Sequence, residues 1–476
     1  VNAPLPLAAL ADLRTGLAAA APRRALTVSE WADAHRVLPT KSSAEGGMPW
    51  RTARNPMLRE IMDALSLRSP CRKVTVKKSA QGGATEVGLN WIGYVIDHAP
   101  APMLAVLPTL EVRKRWTIQR LNPLLAETPV LRERFDSLAS RDAANSEELK
   151  DFPGGLLVVG GANSPASLAS MPIAYVLCDE LDRFPWQAGN EGDPLGLIDQ
   201  RQVTFPRRKR CVISTPTIAE ASRIDEEYDA SDRSRYLLAC PHCGERQALK
   251  FPNLRWDKPV TRAWYVCEHC GAEIDEHHKP AMLARGEWAA EIPERSREHR
   301  GFHWNQLYNP VGLGPSWKEI ALHWLASYED PIKRKVFVNT VLGESYADRS
   351  RDVAPNALQE RALPYPLRTV PAGALVLTAG VDVQDDRLAV QIIGWGARET
   401  AWTLDWIELP GCPVKQEVWD ALWAMLGTPL RNGWGRDLKV RAAAIDTGGH
   451  YTADAYWQIR QCPVRGLIPM AIKGSS

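Results

Sequence analysis

No stretch of the 476-residue chain approaches the roughly 20 uncharged apolar residues that a membrane-spanning helix requires, which excludes a helical membrane protein. The Ala-rich start is interrupted by Asp12, Arg14, Arg23 and Arg24, which argues against a secretory signal. An excess of charge of one sign is also missing: 58 basic residues against 56 acidic ones leave +2. Nucleic-acid binding would therefore rest on local runs such as Arg113-Lys114-Arg115 or Arg207-Arg208-Lys209-Arg210, and such runs are more often solvated faces than binding sites. There is no internal repeat and no low-complexity tract. Cysteines number only nine, an odd count, and four of them form two Cys-x-x-Cys pairs, which favours a reduced compartment with a metal site over a disulfide scaffold.

What is present is enough apolar sequence, 45%, to bury two or three domain cores, with 18 Trp placed mostly in the second half. Residues 3–21 read as an Ala/Leu helix, and Thr27-x-x-Glu30 has the spacing of a capping box opening a second helix, Trp31 to Val37. Pro56 to Leu67 reads as a helix, and Lys73 to Lys77 as a β-branched strand running into a Gly-bearing turn, the setting in which phosphate sites form. The apolar runs Met103–Leu107, Gly155–Gly160, Ile173–Cys178 and Cys211–Ile213, with helical stretches such as Leu110–Leu125 between them, imply a parallel sheet covered on both faces. The expected division is an N-terminal arm over 1–44, an α/β domain over 45–235, short strands around paired cysteines over 236–275, a helical connector over 276–370 and a third region over 371–476.

The segment Lys78-Ser79-Ala80-Gln81-Gly82-Gly83-Ala84-Thr85 has the length and ending of a P-loop, but Ala84 holds the usual lysine position and Lys78 stands where the first glycine would be. A lysine entering from the start of the loop can still neutralise β- and γ-phosphates held by backbone N–H groups and the helix dipole, with the Thr85 hydroxyl on Mg²⁺. A plain Gly-Gly turn is the alternative. Farther along, Ile173 to Glu180 is an apolar strand ending in two carboxylates, as a Walker B strand requires: Asp179 for Mg²⁺, Glu180 for the attacking water. Acids merely capping a buried strand would look similar. Ser214 and Thr215 then end another strand, suited to sensing the γ-phosphate, and the three signals in order favour an ATPase.

Cys240-x-x-Cys243-Gly244 and Cys267-x-x-Cys270-Gly271, separated by twenty-three residues, are spaced as two knuckles of a structural four-thiolate Zn²⁺ site, with redox dithiols as the alternative. Four thiolates complete the shell, so His242 and His269 inside the knuckles read as exposed histidines. In the last region, Asp382 ends the strand Leu375–Val383 ahead of a tight turn and a second strand, the opening of an RNase H-like nuclease, and Asp446 ends the strand starting at Val440. These two acids could bind the divalent ions that activate water for phosphodiester cleavage. Asp385 and Asp386 read as a polar hairpin turn, and Glu408 is a weak candidate for the third carboxylate.

With these residues assembled, the sequence resembles the large subunit of a lambda-type (GpA-like) phage terminase, over about residues 25 to 476. The likeness rests on the displaced-lysine loop, the Val-Leu-Cys-Asp-Glu strand, Ser214-Thr215-Pro216, the cysteine pairs and Gly380-Val381-Asp382-Val383-Gln384. It implies a multidomain α/β chain: a P-loop ASCE-type ATPase domain with a parallel sheet, a zinc-ribbon insertion and an RNase H-like nuclease domain. Lys78 would contact phosphate together with Ser79, Gln81, Gly82, Gly83, Ala84 and Thr85; Asp179 would hold magnesium, Glu180 the hydrolytic water, and Ser214 and Thr215 would couple hydrolysis to DNA movement. Asp382 and Asp446 would be nuclease ligands for Mg²⁺ or Mn²⁺. Family members are longer, so the expectation is a C-terminally incomplete nuclease domain without the segment that docks on the portal.

The resemblance further implies double-stranded DNA as substrate, a small terminase subunit and the procapsid portal as partners, a homo-oligomeric ring, and action in the host cytoplasm. A neighbouring subunit would supply an arginine, for which Arg201, Arg207, Arg208 and Arg210 are candidates. Two other readings stay open from the residues: a helicase-like or repair ATPase-nuclease, and a zinc-ribbon DNA-binding or scaffold protein with an inactive nucleotide site.

Overall fold

A computed structural model describes residues 25–41, 43, 45–136, 148–169, 171–219, 221–347, 362–448 and 451–473. The helix expected over 3–21 lies outside them. The chain forms two compact units, Val1–Asp348 and Arg349–Ser476.

In the first unit the capping box forms as spaced: the Thr27 hydroxyl accepts from Glu30 N, the Glu30 carboxylate accepts from Thr27 N, and the helix runs Val28–His35. The strands are β1 (Lys73–Lys78), β2 (Met103–Leu107), β3 (Leu149–Phe152), β4 (Gly155–Gly161), β5 (Tyr175–Asp179), β6 (Lys209–Ser214), β7 (Ser234–Ala239), β8 (Arg246–Ala248), β9 (Leu254–Trp256), β10 (Ala263–Val266), β11 (Glu273–Asp275), β12 (Glu287–Ala289) and β13 (His299–Trp304). Ten of them build one sheet in the order β12-β7-β13-β1-β6-β5-β2-β4-β3, with β8 beside β7; β11-β10-β9 form a small separate sheet. The central pairings from β13 through β1, β6, β5 and β2 to β4 are all parallel.

Alternate residues of the central strands feed two cores, one on each face. Tyr175, Leu177, Cys211 and Ile213 join the larger core on one side. Val176, Cys178 and Val212 join a second core with Leu104, Val106 and Ile224 on the other. Coverage of both faces explains why these strands read as unbroken apolar runs.

The stretch read as a helical connector contributes more than helices. It has them at Trp317–Ser327 and Pro331–Phe337, but it also supplies β12 and β13, and β13 lies directly beside β1. His299 and His303 are buried in β13, so the strand has no apolar run by which to recognise it.

The second unit holds β14 (Val376–Val383), β15 (Arg387–Trp395), β16 (Ala401–Pro410), β17 (Val440–Asp446) and β18 (Ile468–Ile472) in the order β16-β15-β14-β17-β18. The first three strands form an antiparallel meander, and β14-β17-β18 are parallel. The helix Gln416–Gly427 packs Trp419, Leu422, Trp423 and Leu426 into this unit's core. Among the described residues, no helix is long and apolar enough to cross a membrane.

Candidate functional site

At the carboxyl ends of β1, β6 and β5 the sequence motifs converge. Lys78 closes β1 and is only 6% exposed. Its Nζ donates to Glu180 Oε1 at 3.0 Å and to Thr215 Oγ1 at 3.1 Å. Asp179 ends β5, and the Thr85 hydroxyl donates to its Oδ2 at 3.4 Å. Residues 102 and 137 positions away from Lys78 thus meet one ammonium group, because β6 runs between β1 and β5.

The loop after Lys78 is held from both sides. Ser79 N donates to Trp304 O and Ala80 N to Thr340 O, while Gln306 Nε2 donates to Ala80 O. Gln81 and Gly83 take left-handed φ values of 59° and 84°, and the helix Ala84–Asp97 starts immediately after. Among the described residues the N–H groups of Gln81 through Thr85 have no protein acceptor. Such a run of free donors at a helix N-terminus is an anion cradle. Gly82 has no room for a side chain, since a Cβ there would lie 2.4 Å from Trp304 Nε1.

The two acids differ in environment. Burial, with the neighbouring Glu180 charge second, pushes the Asp179 carboxyl up to about 6, and its Oδ1 is buried without a partner. A buried, half-satisfied carboxylate beside a threonine hydroxyl and free N–H groups has the donor set that a phosphate-bound divalent cation requires. Glu180 has a left-handed backbone, φ 60° and ψ 52°, a conformation that a non-glycine residue keeps only where its surroundings hold it. It is tethered by Lys78 and, at 3.7 Å, by Arg183.

Ser214 does not join Thr215 at the lysine. Its Oγ donates to Thr215 O and accepts from Asp182 N. Asp182 is a residue that the motif reading missed: Oδ2 accepts from Thr217 N and Oγ1 at 2.8 and 2.9 Å, and Oδ1 accepts from Ile224 N at 2.8 Å. It fastens the turn after β5 to the segment after β6, and Thr217 O in turn accepts from Tyr346 N. The signal was a third acid in Asp179-Glu180-Leu181-Asp182. Also missed was a cavity of about 250 Å³ against the loop, lined by Trp50, Arg54, Asn55, Gln81, Gly82 and Glu86 among others. Of the four arginines considered for a neighbouring subunit, Arg210 is excluded, because it is buried between Asp199 and Glu227 at 3.0 and 2.7 Å.

The four paired cysteines come together with all Sγ atoms within 4.8 Å of one another. Cys240–Cys270 and Cys243–Cys267 are 4.0 and 3.9 Å apart, close to the roughly 3.8 Å edge of a tetrahedron with 2.3 Å Zn–S bonds. Gly244 and Gly271 take φ of 81° and 71°, and their N–H groups donate back to Cys240 O and Cys267 O, closing each knuckle. His242 turns away from the sulfurs, its Nε2 lying 3.1 Å from Glu273 O.

In the second unit, the ladder pairing Val381 with Ile445 sets Asp382 and Asp446 at one level on adjacent parallel strands. Gln384 Nε2 donates to Asp382 Oδ2 at 2.7 Å, and Gly448 N to Asp446 Oδ1 at 2.9 Å. Glu408 is two strands away from Asp382, about 10 Å by strand spacing, and its charge faces Arg387 at 3.6 Å. Asp386 pairs with Arg387 beside the turn. Among the described residues only the cysteine quartet brings three or more candidate metal ligands together, so no third carboxylate joins Asp382 and Asp446.

Comparison with known proteins gives an ATPase part followed by a nuclease part, the second match taking in β13 of the first unit's sheet as well as the whole second unit. The family model described as phage terminase large subunit gpA, ATPase domain, matches residues 43–288, and that described as terminase large subunit gpA, endonuclease domain, matches 299–476. The large terminase subunit of Enterobacteria phage P21 is 28% identical over 95% of this chain and 73% of its own length. That of Escherichia phage lambda is 28% identical over 94% of this chain and 72% of its own length. The crystal structure of the HK97 bacteriophage large terminase aligns with a TM-score of 0.46 at 12% identity, covering 95% of this chain and 85% of that one. With ATPase and endonuclease models matched in order along one sequence, the chain belongs to the phage terminase large-subunit gpA family.

Proposed function

We propose that Lys78–Thr85 is a P-loop with its lysine displaced to the start, and that the ATP hydrolysis it performs drives double-stranded viral DNA into procapsids. As a terminase large subunit the chain hydrolyses ATP and cuts DNA in packaging; the proposal assigns those activities to residues. The observation that carries it is the meeting of Lys78, Thr85, Asp179, Glu180 and Thr215 beside five free N–H groups.

In this reading the N–H groups of Gln81 to Thr85 receive the β- and γ-phosphate oxygens, and Lys78 neutralises the γ-phosphate. Asp179 and the Thr85 hydroxyl would hold Mg²⁺, which would supply charge to offset the phosphates. Glu180 orients a water for in-line attack on the γ-phosphorus and takes its proton, while the P–O bond to ADP breaks and phosphate leaves. The cavity beside Gly82 accommodates the base end of the nucleotide. Ser214 and Thr215 pass the state of the γ-phosphate to the segment after β6, with Asp182 as the fastening between them. The intervening strand between β1 and β5 supports an ASCE-type ATPase domain.

The cysteine quartet is a zinc-ribbon site, supported by its tetrahedral spacing and closed shell. Asp382 and Asp446 would hold Mg²⁺ or Mn²⁺ in an RNase H-like nuclease domain that cuts concatemeric DNA, a metal that would supply water activation and charge stabilisation at the leaving oxygen. The small terminase subunit, the portal and further copies of this chain in a ring are the partners this work requires, in the host cytoplasm. The test is packaging itself: procapsids, linear duplex and the parent chain are expected to give ATP-dependent nuclease-protected DNA, and Glu180→Gln none. Undiminished protection with Glu180→Gln would refute the assignment.

A further inference from the structure

The run Arg207-Arg208-Lys209-Arg210 divides in the fold. Lys209 and Arg210 are buried: Lys209 Nζ donates to the carbonyls of Ala64, Ser69 and Cys71 at 3.2, 3.0 and 2.5 Å, and Arg210 is held by Asp199 and Glu227. Arg207 and Arg208, on the loop ahead of β6, line a groove of about 790 Å³ that the buried Lys209 also borders. Arg68 and Arg72, ahead of β1, and Arg297, ahead of β13, line the same groove. Strands β13, β1 and β6 are neighbours, so three loops lie side by side at the amino end of the sheet, opposite the Lys78–Thr85 edge.

The backbone of this platform is fixed. Arg210 N donates to Arg72 O at 2.8 Å, Arg72 N and Lys73 N both donate to Glu298 O at 2.9 Å, and Lys209 ties the 64–71 segment to β6. The cationic heads are not fixed. Among the described residues the guanidinium groups of Arg68, Arg207, Arg208 and Arg297 make no ion pair or hydrogen bond, and Arg72 meets Glu298 only at 3.8 Å with both side chains largely exposed. Among the described residues Glu294 and Glu298 are the only acids lining the groove, too few to balance its arginines.

Five arginines gathered on a rigid platform repel one another, and a polyanion relieves that repulsion. Exposed heads on a fixed backbone do not make the convergent, desolvated cage of a small-anion site. Spread over three loops about 5 Å apart, they match two or three successive phosphates of one strand, which rise about 3.4 Å each. We propose that this groove is a contact surface for the phosphate backbone of duplex DNA, an inference that rests on the chain's DNA-handling role. It lies about 20 Å, the length of β1, from the nucleotide edge, so its arginines can be changed without touching this chain's own nucleotide site.

The test is anisotropy of a labelled duplex of about 30 base pairs, titrated with the full chain between about 50 and 200 mM salt. The variants are Arg207→Ala/Arg208→Ala and Arg68→Ala/Arg297→Ala, with the exposed pair Lys114→Ala/Arg115→Ala as a charge-matched control. Each groove pair is expected to flatten the slope of log Kd against log salt by about 0.9, one lost phosphate contact per pair, with melting temperature unchanged. DNA-free ATP turnover is expected unchanged in Arg68→Ala/Arg297→Ala, the pair that includes no candidate for the arginine given to a neighbouring subunit. The control is expected to keep the parental slope. A parent that binds DNA while both groove pairs keep its slope, or lose no more than the control, overturns the inference and leaves the DNA-handling role standing. A parent that binds no duplex at any salt overturns that role and the inference together. Groove variants that lose binding to polyglutamate but keep DNA binding assign the surface to an acidic protein, and so also overturn it.

Discussion

Gly82→Ala places one methyl group where the nucleotide loop meets the core. The added Cβ would lie 2.4, 3.1 and 3.3 Å from three atoms of the Trp304 indole, the nearest about 1 Å inside ordinary contact. The ring cannot yield easily: it is 1% exposed, it packs on Trp288 at 6.2 Å, and its backbone sits in β13 opposite Lys78. Overpacking of this kind costs about 1–3 kcal/mol. Since the Trp304 carbonyl also anchors Ser79 N, relief comes from displacing the loop, and that strain is charged to ATP binding as a roughly 5- to 150-fold weaker Kd. Gly380→Ala, whose Cβ would meet nothing within 4 Å, is the matched control. Fluorescent-ATP titration and thermal unfolding measure both. A Gly82→Ala chain that binds ATP and melts like the parent would refute the packing argument.

Three further outcomes are expected. His303 sits with Nδ1 3.2 Å from Arg235 Nη1 and Nε2 2.9 Å from Gly343 O, and burial holds both His303 and His299 down at about 3. Their neutral forms therefore contribute stability that is full above the ordinary value of 6.5 and lost as pH falls toward 3, roughly 2 kcal/mol each by pH 5. Urea unfolding at pH 7.5 and 5 should show that loss, reduced in His303→Gln, and a flat response would count against it. Metal analysis should find one zinc per chain, with Cys243→Ser or Cys270→Ser abolishing it and exposing the remaining thiols to titration; a zinc-free, fully protected parent would contradict the site. Asp182→Asn replaces one carboxylate oxygen by an NH₂ that then faces the N–H of Thr217 or of Ile224; it costs about 1–3 kcal/mol and should lower kcat for ATP several-fold with KM nearly unchanged, whereas a change in KM alone would deny it a coupling role.

Much of this was legible because the chemistry is local in sequence. The capping box at Thr27, the displaced Lys78, the acids ending β5 and the cysteine knuckles each announce themselves within a few residues, and strands buried on both faces read as apolar runs. What escaped depends on contacts distant in sequence. β13 hides behind buried histidines whose partners, Thr75 and Gly343, lie in other elements. Asp182 gains its meaning from Thr217 and Ile224, and the cavity beside Gly82 is walled by Trp50, Arg54 and Asn55 from the segment ahead of β1. The basic run 207–210 looked uniform in sequence, yet Lys209 and Arg210 fall in β6, which is buried on both faces, while Arg207 and Arg208 stay in the loop ahead of it.

The central claim, a displaced-lysine ATPase built on Lys78 and Glu180, is tested most directly by ATP hydrolysis with and without linear duplex DNA, comparing the parent with Lys78→Ala and Glu180→Gln and measuring ATP binding alongside. DNA-stimulated turnover is expected in the parent and none in either variant, with ATP binding retained by Glu180→Gln but weakened in Lys78→Ala. Parental turnover in both variants would contradict it.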